Sequence, residues 1–181
     1  MNEKLDAELC GTYPKLFANR YADMQTTAMC WGFDCGDGWY NILRALCGNI
    51  QHHIDSSVKQ NQRDNDYNMM LIEIHQGKFD RFDEYYKGYQ EHYREERREE
   101  ILKEDFRDVR PIIAQVTVDQ VKEKFGGLRF YYTGGDDEIS GMVRMAESMS
   151  VVTCETCGKP GEQRHGGWIR TLCDEHAAER A

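Results

Sequence analysis

The stretch Ile112–Gly135 (IIAQVTVDQVKEKFGGLRFYYTGG) carries the clearest β pattern of the chain. Val116 and Val118 alternate with polar residues, which is the period of a half-buried strand. A second β-rich run, Leu128–Tyr132, follows a pair of glycines. Two such runs around glycines predict a β-hairpin or a small antiparallel sheet, although a helical turn at Asp119–Lys124 before the second strand is an alternative.

Helical patterns flank this hairpin on both sides. Before it, a short helix is predicted over Glu3–Cys10. A longer helix is predicted from Trp39, where large apolar residues recur at helical spacing as far as Ile54. After the hairpin, Asp136–Met149 begins with three acidic residues, which suit the positive end of a helix dipole. The chain is therefore predicted to belong to the α+β class, with a helical N-terminal part.

A highly charged segment, residues 62–110, lies between the first helices and the hairpin. Asn61–Asn68 is predicted to be a polar linker, Met69–Ile74 a strand or a helix, and Phe79–Phe106 one long helix. We expect a helical segment, with a solvated charged face and an aromatic stripe that packs on the body or on a second chain. The stripe consists of Phe82, Tyr86, Tyr89 and Tyr93.

The C-terminal part carries the most specific chemical pattern. Cys154 and Cys157 form one close pair, Cys173 and His176 form another, and fifteen residues separate the two pairs. Two pairs of thiolate or imidazole ligands are typical of tetrahedral structural zinc. The order of knuckle, strand and helix start is treble-clef-like. We predict a zinc unit over residues 151–181 beside a body over 1–150, with four protein ligands and no open catalytic position.

The loop Trp31–Trp39 crowds aromatic and acidic residues between glycines. Either it forms a binding surface, or its two tryptophans wedge into the core. Asp37 also stands where an N-cap of the following helix belongs. On the second strand of the hairpin, Arg129 and Tyr131 alternate with two aromatic residues, so one of these pairs faces away from the core. The predicted binding residues are Trp31, Asp34, Asp37, Trp39 and Arg129.

Other reactive residues give weaker patterns. His52 and His53 are adjacent on a predicted helix and therefore point in different directions, which disfavours a second metal site. Cys35 has acidic neighbours that raise the pKa of a thiol, so it is not expected to be a catalytic nucleophile. His165 lies in a Gly-flanked turn, without the partner residues of a nuclease. No catalytic residue is predicted.

The strings Trp31–Tyr40 (WGFDCGDGWY), Val121–Gly135 (VKEKFGGLRFYYTGG) and Cys154–His176 (CETCGKPGEQRHGGWIRTLCDEH) resemble an uncharacterised family from phages and bacteria. The resemblance covers residues 1–60 and 111–181, which implies that the helical stretch 62–110 is a variable insert. It implies a small zinc-containing protein of phage type and assigns no activity. Phage accessory proteins often act on host processes or host defence, so a host or defence-related protein is the expected partner.

Composition narrows the classes of function. The 181 residues have a formal net charge of −9, which argues against broad contact with phosphate backbones. No apolar run is long enough to span a bilayer, and no secretory signal is recognised. We expect a cytoplasmic binding protein, in the host cytoplasm if phage-encoded. Two alternatives remain: a metal-dependent hydrolase, and a nucleic-acid or nucleotide-binding zinc protein using Lys122, Lys124, Arg129, Arg164 and Arg170.

Overall fold

The computed structural model describes residues 1–180 and confirms the α+β class. In that range the helices are α1 (Glu3–Thr12), α2 (Tyr40–His75), α3 (Asp80–Tyr85), α4 (Glu91–Ile101), α5 (Asp137–Ser150) and α6 (Asp174–Ala178). The strands are β1 (Phe33–Asp34), β2 (Thr117–Lys124), β3 (Gly127–Thr133), β4 (Glu162–Arg164) and β5 (Arg170–Leu172). Across residues 1–180, no helix has the length and apolar character needed to cross a membrane.

Strands β2 and β3 form the predicted hairpin. They are antiparallel, and Val121 lies opposite Phe130. The residues of the alternative helical turn, Asp119–Lys124, therefore belong to β2. Strand β1 adds to the other side of β2 in the parallel direction, with Phe33 opposite Val121. The resulting sheet has the order β1-β2-β3, so it is mixed, whereas β4 and β5 form a separate antiparallel pair.

Side chains of α5 satisfy donors along the outer edge of β3. The Ser150 hydroxyl accepts a hydrogen bond from the Leu128 N–H at 2.8 Å, and Glu147 accepts one from the Phe130 N–H at 3.1 Å. An exposed strand edge is a template for pairing with another chain. The helix therefore protects this edge as well as covering the core.

The chain divides into two compact units. The first comprises residues 1–54 together with those from Ile113 onward. Its core combines apolar side chains from α1, α2, the sheet and α5, which agrees with the periodicity of these segments. Fully buried members of this core include Leu9, Leu16, Met29, Trp39, Leu43, Ile50, Val118, Val121, Leu128 and Ile139.

The second unit, Asp55–Ile112, is helical, but its helices differ from those predicted. Asn61–Asn68 is not a linker and Met69–Ile74 is not a strand, because both lie within α2. The polar run still places Tyr67 on the apolar face that continues through the next turns. The predicted long helix Phe79–Phe106 is interrupted between α3 and α4, where Gly88 disfavours helix.

A polar network joins the aromatic residues of this unit. The Arg97 guanidinium donates to the hydroxyls of Tyr67 and Tyr86 at 3.1 and 3.2 Å, and it pairs with Glu104. The hydrogen bond that Arg97 donates to Glu104, together with one from the Tyr67 hydroxyl, holds the pKa of Glu104 below its usual range. The predicted aromatic stripe forms a chain of ring contacts, including Tyr89 stacked on Tyr93 with centroids 5.1 Å apart.

Candidate metal centre and adjoining cleft

The first pair of candidate ligands lies on a tight knuckle. The N–H of Gly158 donates to the carbonyl of Cys154 at 2.8 Å, and Gly158 has a φ of +76°, which favours glycine. The second pair follows the β4–β5 hairpin. Cys173 caps the start of α6 and His176 lies in its first turns, so both ligands face the knuckle. The predicted order of knuckle, hairpin and helix is present.

The four side chains converge on one point. Their ligand atoms all lie within 4.8 Å of one another. The Cys157 and Cys173 sulfurs are 3.8 Å apart, and Nδ1 of His176 is 3.6 Å from the Cys154 sulfur. A tetrahedron with metal–sulfur distances of about 2.3 Å has edges of about 3.8 Å. The ligand set therefore fits a four-coordinate metal ion.

Backbone donors prepare two of the sulfurs for metal binding. Burial raises the pKa of the Cys154 thiol, but N–H groups of Cys173, Cys157 and Thr156 outweigh burial and lower that pKa to about 6. The N–H of His176 similarly lowers the pKa of Cys173. Because the thiolate is the form that binds metal, these amides favour the ligand state before any metal arrives.

The loop before α2 packs against this knuckle. The N–H of Gly38 donates to the carbonyl of Glu155 at 2.8 Å, and the N–H of Gly36 donates to its carboxylate at 2.9 Å. A Cβ atom at Gly38 would lie 2.2 Å from the carbonyl oxygen of Cys154. The glycines thus allow two backbones to approach, which explains the Gly-rich sequence without requiring an external ligand.

The two loop tryptophans have opposite environments. Trp39 is fully buried, and its indole N–H donates to the carbonyl of Thr153 at 2.9 Å. It belongs to the core, the second of the two alternatives, and offers no contact surface. Trp31 is 72% exposed and remains available to a partner.

The other predicted binding residues are dispersed. Asp37 accepts hydrogen bonds from the backbone and side-chain nitrogens of Asn2, both at 2.7 Å, and these lower its pKa. Its carboxylate therefore ties the loop to the start of α1. Asp34 lies on β1 opposite Lys122, and Arg129 lies opposite the same lysine on β3. This places Asp34 and Arg129 in one row across the sheet, apart from Trp31.

The remaining reactive residues do not add a second site. His53 lies 3.0 Å from the carboxylate of Asp136, at the start of α5. Among residues 1–180, the four ligands described above are the one group of three or more candidate metal-binding side chains. Burial raises the pKa of the Cys35 thiol to about 12, so this cysteine is protonated at neutral pH.

A cleft of about 1010 Å³ lies beside the metal centre, within the first unit. One wall comes from β1 and from the end of β2, and the other comes from the knuckle and the tip of the β4–β5 hairpin. Four cationic side chains, the amino terminus of Met1 and three carboxylates line it. The members with charged or aromatic side chains are Phe33, Asp34, Lys122, Glu123, Lys124, Phe125, Glu155, Trp168, Arg170 and Arg180.

Sequence reasoning named Lys122, Lys124 and Arg170 among the contacts of the nucleotide-binding alternative, and it overlooked Phe125 and Trp168 as possible contacts. The signal for Phe125 was available, because a bulky residue precedes two glycines in a hairpin turn. For Trp168 there was no comparable signal. Its place depends on how the metal-bearing hairpin packs against β2.

No protein-family model, curated protein or solved structure matches the chain. The fold and the site define an α+β protein whose C-terminal part carries a candidate metal centre of three cysteines and one histidine. The resemblance to phage and bacterial proteins stays a prediction.

Proposed function

We propose that Cys154, Cys157, Cys173 and His176 bind one zinc ion with a structural role, in a treble-clef-like unit. Three thiolates and an imidazole are a common structural zinc set, and four protein ligands complete its tetrahedron. The unit is too small to bury a core of its own, so metal binding would supply much of its folding free energy.

The metal unit also builds the cleft. Trp168 donates from its indole to Glu123 at 2.8 Å, and Gln163 donates to the carbonyl of Phe125 at 3.0 Å. The Thr171 hydroxyl donates to the carbonyl of Gly126. These three bonds fasten the β4–β5 hairpin to the turn of the β2–β3 hairpin, so the metal unit supplies the second wall of the cleft.

The function that this arrangement supports best is ligand binding without catalysis, in a cleft held open by a structural zinc ion. The observation that carries the proposal is the cleft itself, which the sheet and the metal unit form together. Its size is at the upper end of ordinary ligand sites. A host or defence-related protein, the partner expected of a phage accessory protein, would enter this cleft through a peptide segment.

The experiment is a screen by nuclear magnetic resonance on the zinc-loaded, ¹⁵N-labelled full chain. Soluble probes would include nucleosides, phosphorylated compounds and short peptides. We expect amide shifts to concentrate at Lys122, Lys124 and Arg170, and to weaken in Trp168→Ala. The matched control is Trp31→Ala, because the two indoles are 68% and 72% exposed but only Trp168 lines the cleft. Shifts elsewhere, or none with any probe, would overturn the proposal.

A further inference from the structure

Phe125 occupies a position that is unfavourable for a phenylalanine. It is the first central residue of the β2–β3 turn and has a φ of +55°, followed by Gly126 at +77°. Two positive φ values are the pattern of a type I′ turn, which favours Asn, Asp or Gly. The Phe125 ring is also 67% exposed, so packing does not compensate for the backbone strain. Strain at an exposed aromatic residue points to a role outside folding.

A second exposed aromatic side chain stands on the facing wall. Trp168 is 68% exposed, although it lines the same cleft. Its indole N–H is held by Glu123, two residues before Phe125. The hydrogen bond limits the rotation of the indole while leaving its face open, which is how a stacking surface is prepared in advance.

Two lysines of β2, Lys122 and Lys124, line the same cleft. The Lys122 ammonium is 5.3 Å from the centroid of Tyr131, and that of Lys124 is 5.5 Å from the centroid of Phe125. The nearby carboxylates already have partners: Glu155 pairs with Arg170 at 3.0 Å, and Glu123 accepts from Gly126 and Trp168. Asp34 is the remaining acid of the cleft. Four cationic side chains against three carboxylates give the cleft a small positive excess, on a chain with a net charge of −9.

We propose that the cleft binds a nucleotide unit, with its base stacked on Trp168 or Phe125 and its phosphate at Lys122 and Lys124. This inference rests on the proposed binding function and names its ligand class. Aromatic surfaces beside lysines form the common design of sites for single-stranded nucleic acid, where stacking tolerates any base. The same chemistry serves a free nucleotide. An acidic peptide would satisfy the lysines but would leave two exposed rings, one of them strained, without a role.

The test uses the zinc-loaded full chain and two probes, a fluorescein-labelled uridine 12-mer and unlabelled AMP as its competitor. Fluorescence anisotropy at low salt reports binding of the 12-mer. We expect Trp168→Ala and Phe125→Asn each to weaken binding by about 5- to 100-fold, the range for loss of one stacked base. Lys122→Ala is expected to reduce the slope of log affinity against log salt by about 0.7.

The controls separate loss of contact from loss of fold. Asn suits positive φ, so Phe125→Asn is expected to raise the thermal midpoint by about 2–4 °C while weakening binding. Lys103→Ala changes an exposed residue outside the cleft and is expected to leave affinity unchanged. A fall in thermal midpoint for Phe125→Asn would assign the ring to folding and would overturn the proposal.

The two sources of ligand give different results. Displacement of the 12-mer by AMP at concentrations near those of the strand indicates a free nucleotide, whereas binding of the 12-mer alone indicates a single strand. Equal binding of duplex and single strand would show that only the phosphate charges are recognised and not the bases, and it would overturn the inference. If peptides shift the cleft residues while neither nucleotide probe binds, only the ligand class is wrong and the binding function stands.

Discussion

Position 38 requires glycine, because the carbonyl oxygen of Cys154 lies where the Cβ atom of any other residue would be. A Cβ atom there would also be 2.5 Å from the Gly158 nitrogen. Both contacts are with backbone, which cannot rotate out of the way as a flexible side chain can. Because Gly38 lacks a Cβ atom, the loop can approach the metal knuckle closely enough to form three hydrogen bonds. Their donors are Gly36, Gly38 and Trp39.

Gly38→Ala is therefore expected to push the knuckle away from the loop. Overpacking of this kind costs about 1–3 kcal/mol. We expect a lower thermal midpoint and at least a tenfold faster loss of zinc to a competing chelator. The control is Gly11→Ala, because a Cβ at Gly11 meets nothing within 4 Å and alanine favours helix α1. Equal zinc retention in the two variants would contradict the role of Gly38.

The zinc ion itself gives a prediction at the level of individual ligands. Elemental analysis of freshly purified protein is expected to find one zinc per chain. Cys157→Ser is expected to lose it, because a serine hydroxyl does not replace a thiolate on zinc. Cys30→Ser, whose thiol only donates to the carbonyl of Thr27, is expected to retain it. Freshly purified protein in which elemental analysis finds no zinc would refute the assignment of the metal.

Among the elements, the C-terminal hairpin and α6 depend most on the metal. Beyond the four ligands, the buried side chains of this region are few, and Leu172 is the main apolar one. Chelation under reducing conditions is expected to remove protection from hydrogen exchange over residues 151–180 and over the loop at 33–39. Residues 55–112 have a separate core and serve as the internal reference. Retained protection at 151–180 after complete zinc removal would show that the unit folds without metal.

The edge of β3 gives another prediction. Replacing both Glu147 and Ser150 by Ala leaves the N–H groups of Phe130 and Leu128 without their acceptors. We expect this variant to self-associate through the exposed edge, as seen by light scattering at increasing protein concentration. Ser148→Ala is the control, because that hydroxyl bonds only within its own helix, to the carbonyl of Arg144. A double variant that stays monomeric would show that other features protect the edge.

Elements with strong local periodicity were predictable from the sequence. The β2–β3 hairpin and α5 follow from alternation and helical spacing, and the ligand set follows from the spacing of Cys154, Cys157, Cys173 and His176. The helix over the polar run Asn61–Asn68 could not be predicted from local pattern, because it is stabilised by one buried tyrosine, Tyr67, and the distant residues that Tyr67 contacts. The cleft could not be predicted, since the contacts between its walls join residues 38, 45 and 119 positions apart in sequence and form only through packing.

For the molecule as a whole, the division into two units predicts two separable unfolding transitions. All three tryptophans, Trp31, Trp39 and Trp168, lie in the first unit, whereas the second unit is helical and rich in tyrosine. Tryptophan fluorescence therefore reports on the first unit. Far-ultraviolet circular dichroism is dominated by helix and includes the second.

Acid is expected to destabilise the second unit in particular. Hydrogen bonds from Arg97 and Tyr67 lower the pKa of Glu104 in the folded state, below an unfolded value of about 4.3. The contribution of this carboxylate to stability is present above that pH and disappears as the pH falls through the folded pKa. Glu104→Gln removes this dependence on pH. We therefore expect the thermal midpoint of the second unit, followed by circular dichroism, to vary less between pH 5 and pH 3 in the variant than in the unaltered protein.

The matched control for this titration is Glu99→Gln, at an exposed position on α4. We expect Glu99→Gln to keep the full dependence on pH. If both variants behave alike, the acid sensitivity of the helical unit has another origin, such as Asp83, whose pKa is lowered by Arg98 and Arg94.

The hydrogen bond between Gly36 and Glu155 joins positions 119 residues apart, and this separation has a consequence for the nascent protein. At translation rates of about 5–20 residues per second, the loop leaves the ribosome roughly 6–24 s before its knuckle. During this interval Trp39 has no carbonyl of Thr153 to receive its indole N–H, and the first unit lacks its metal. In a chain stalled on the ribosome before Cys154, the aromatic side chains of the loop Trp31–Trp39 would therefore lack their partners. Chaperones bind such exposed side chains.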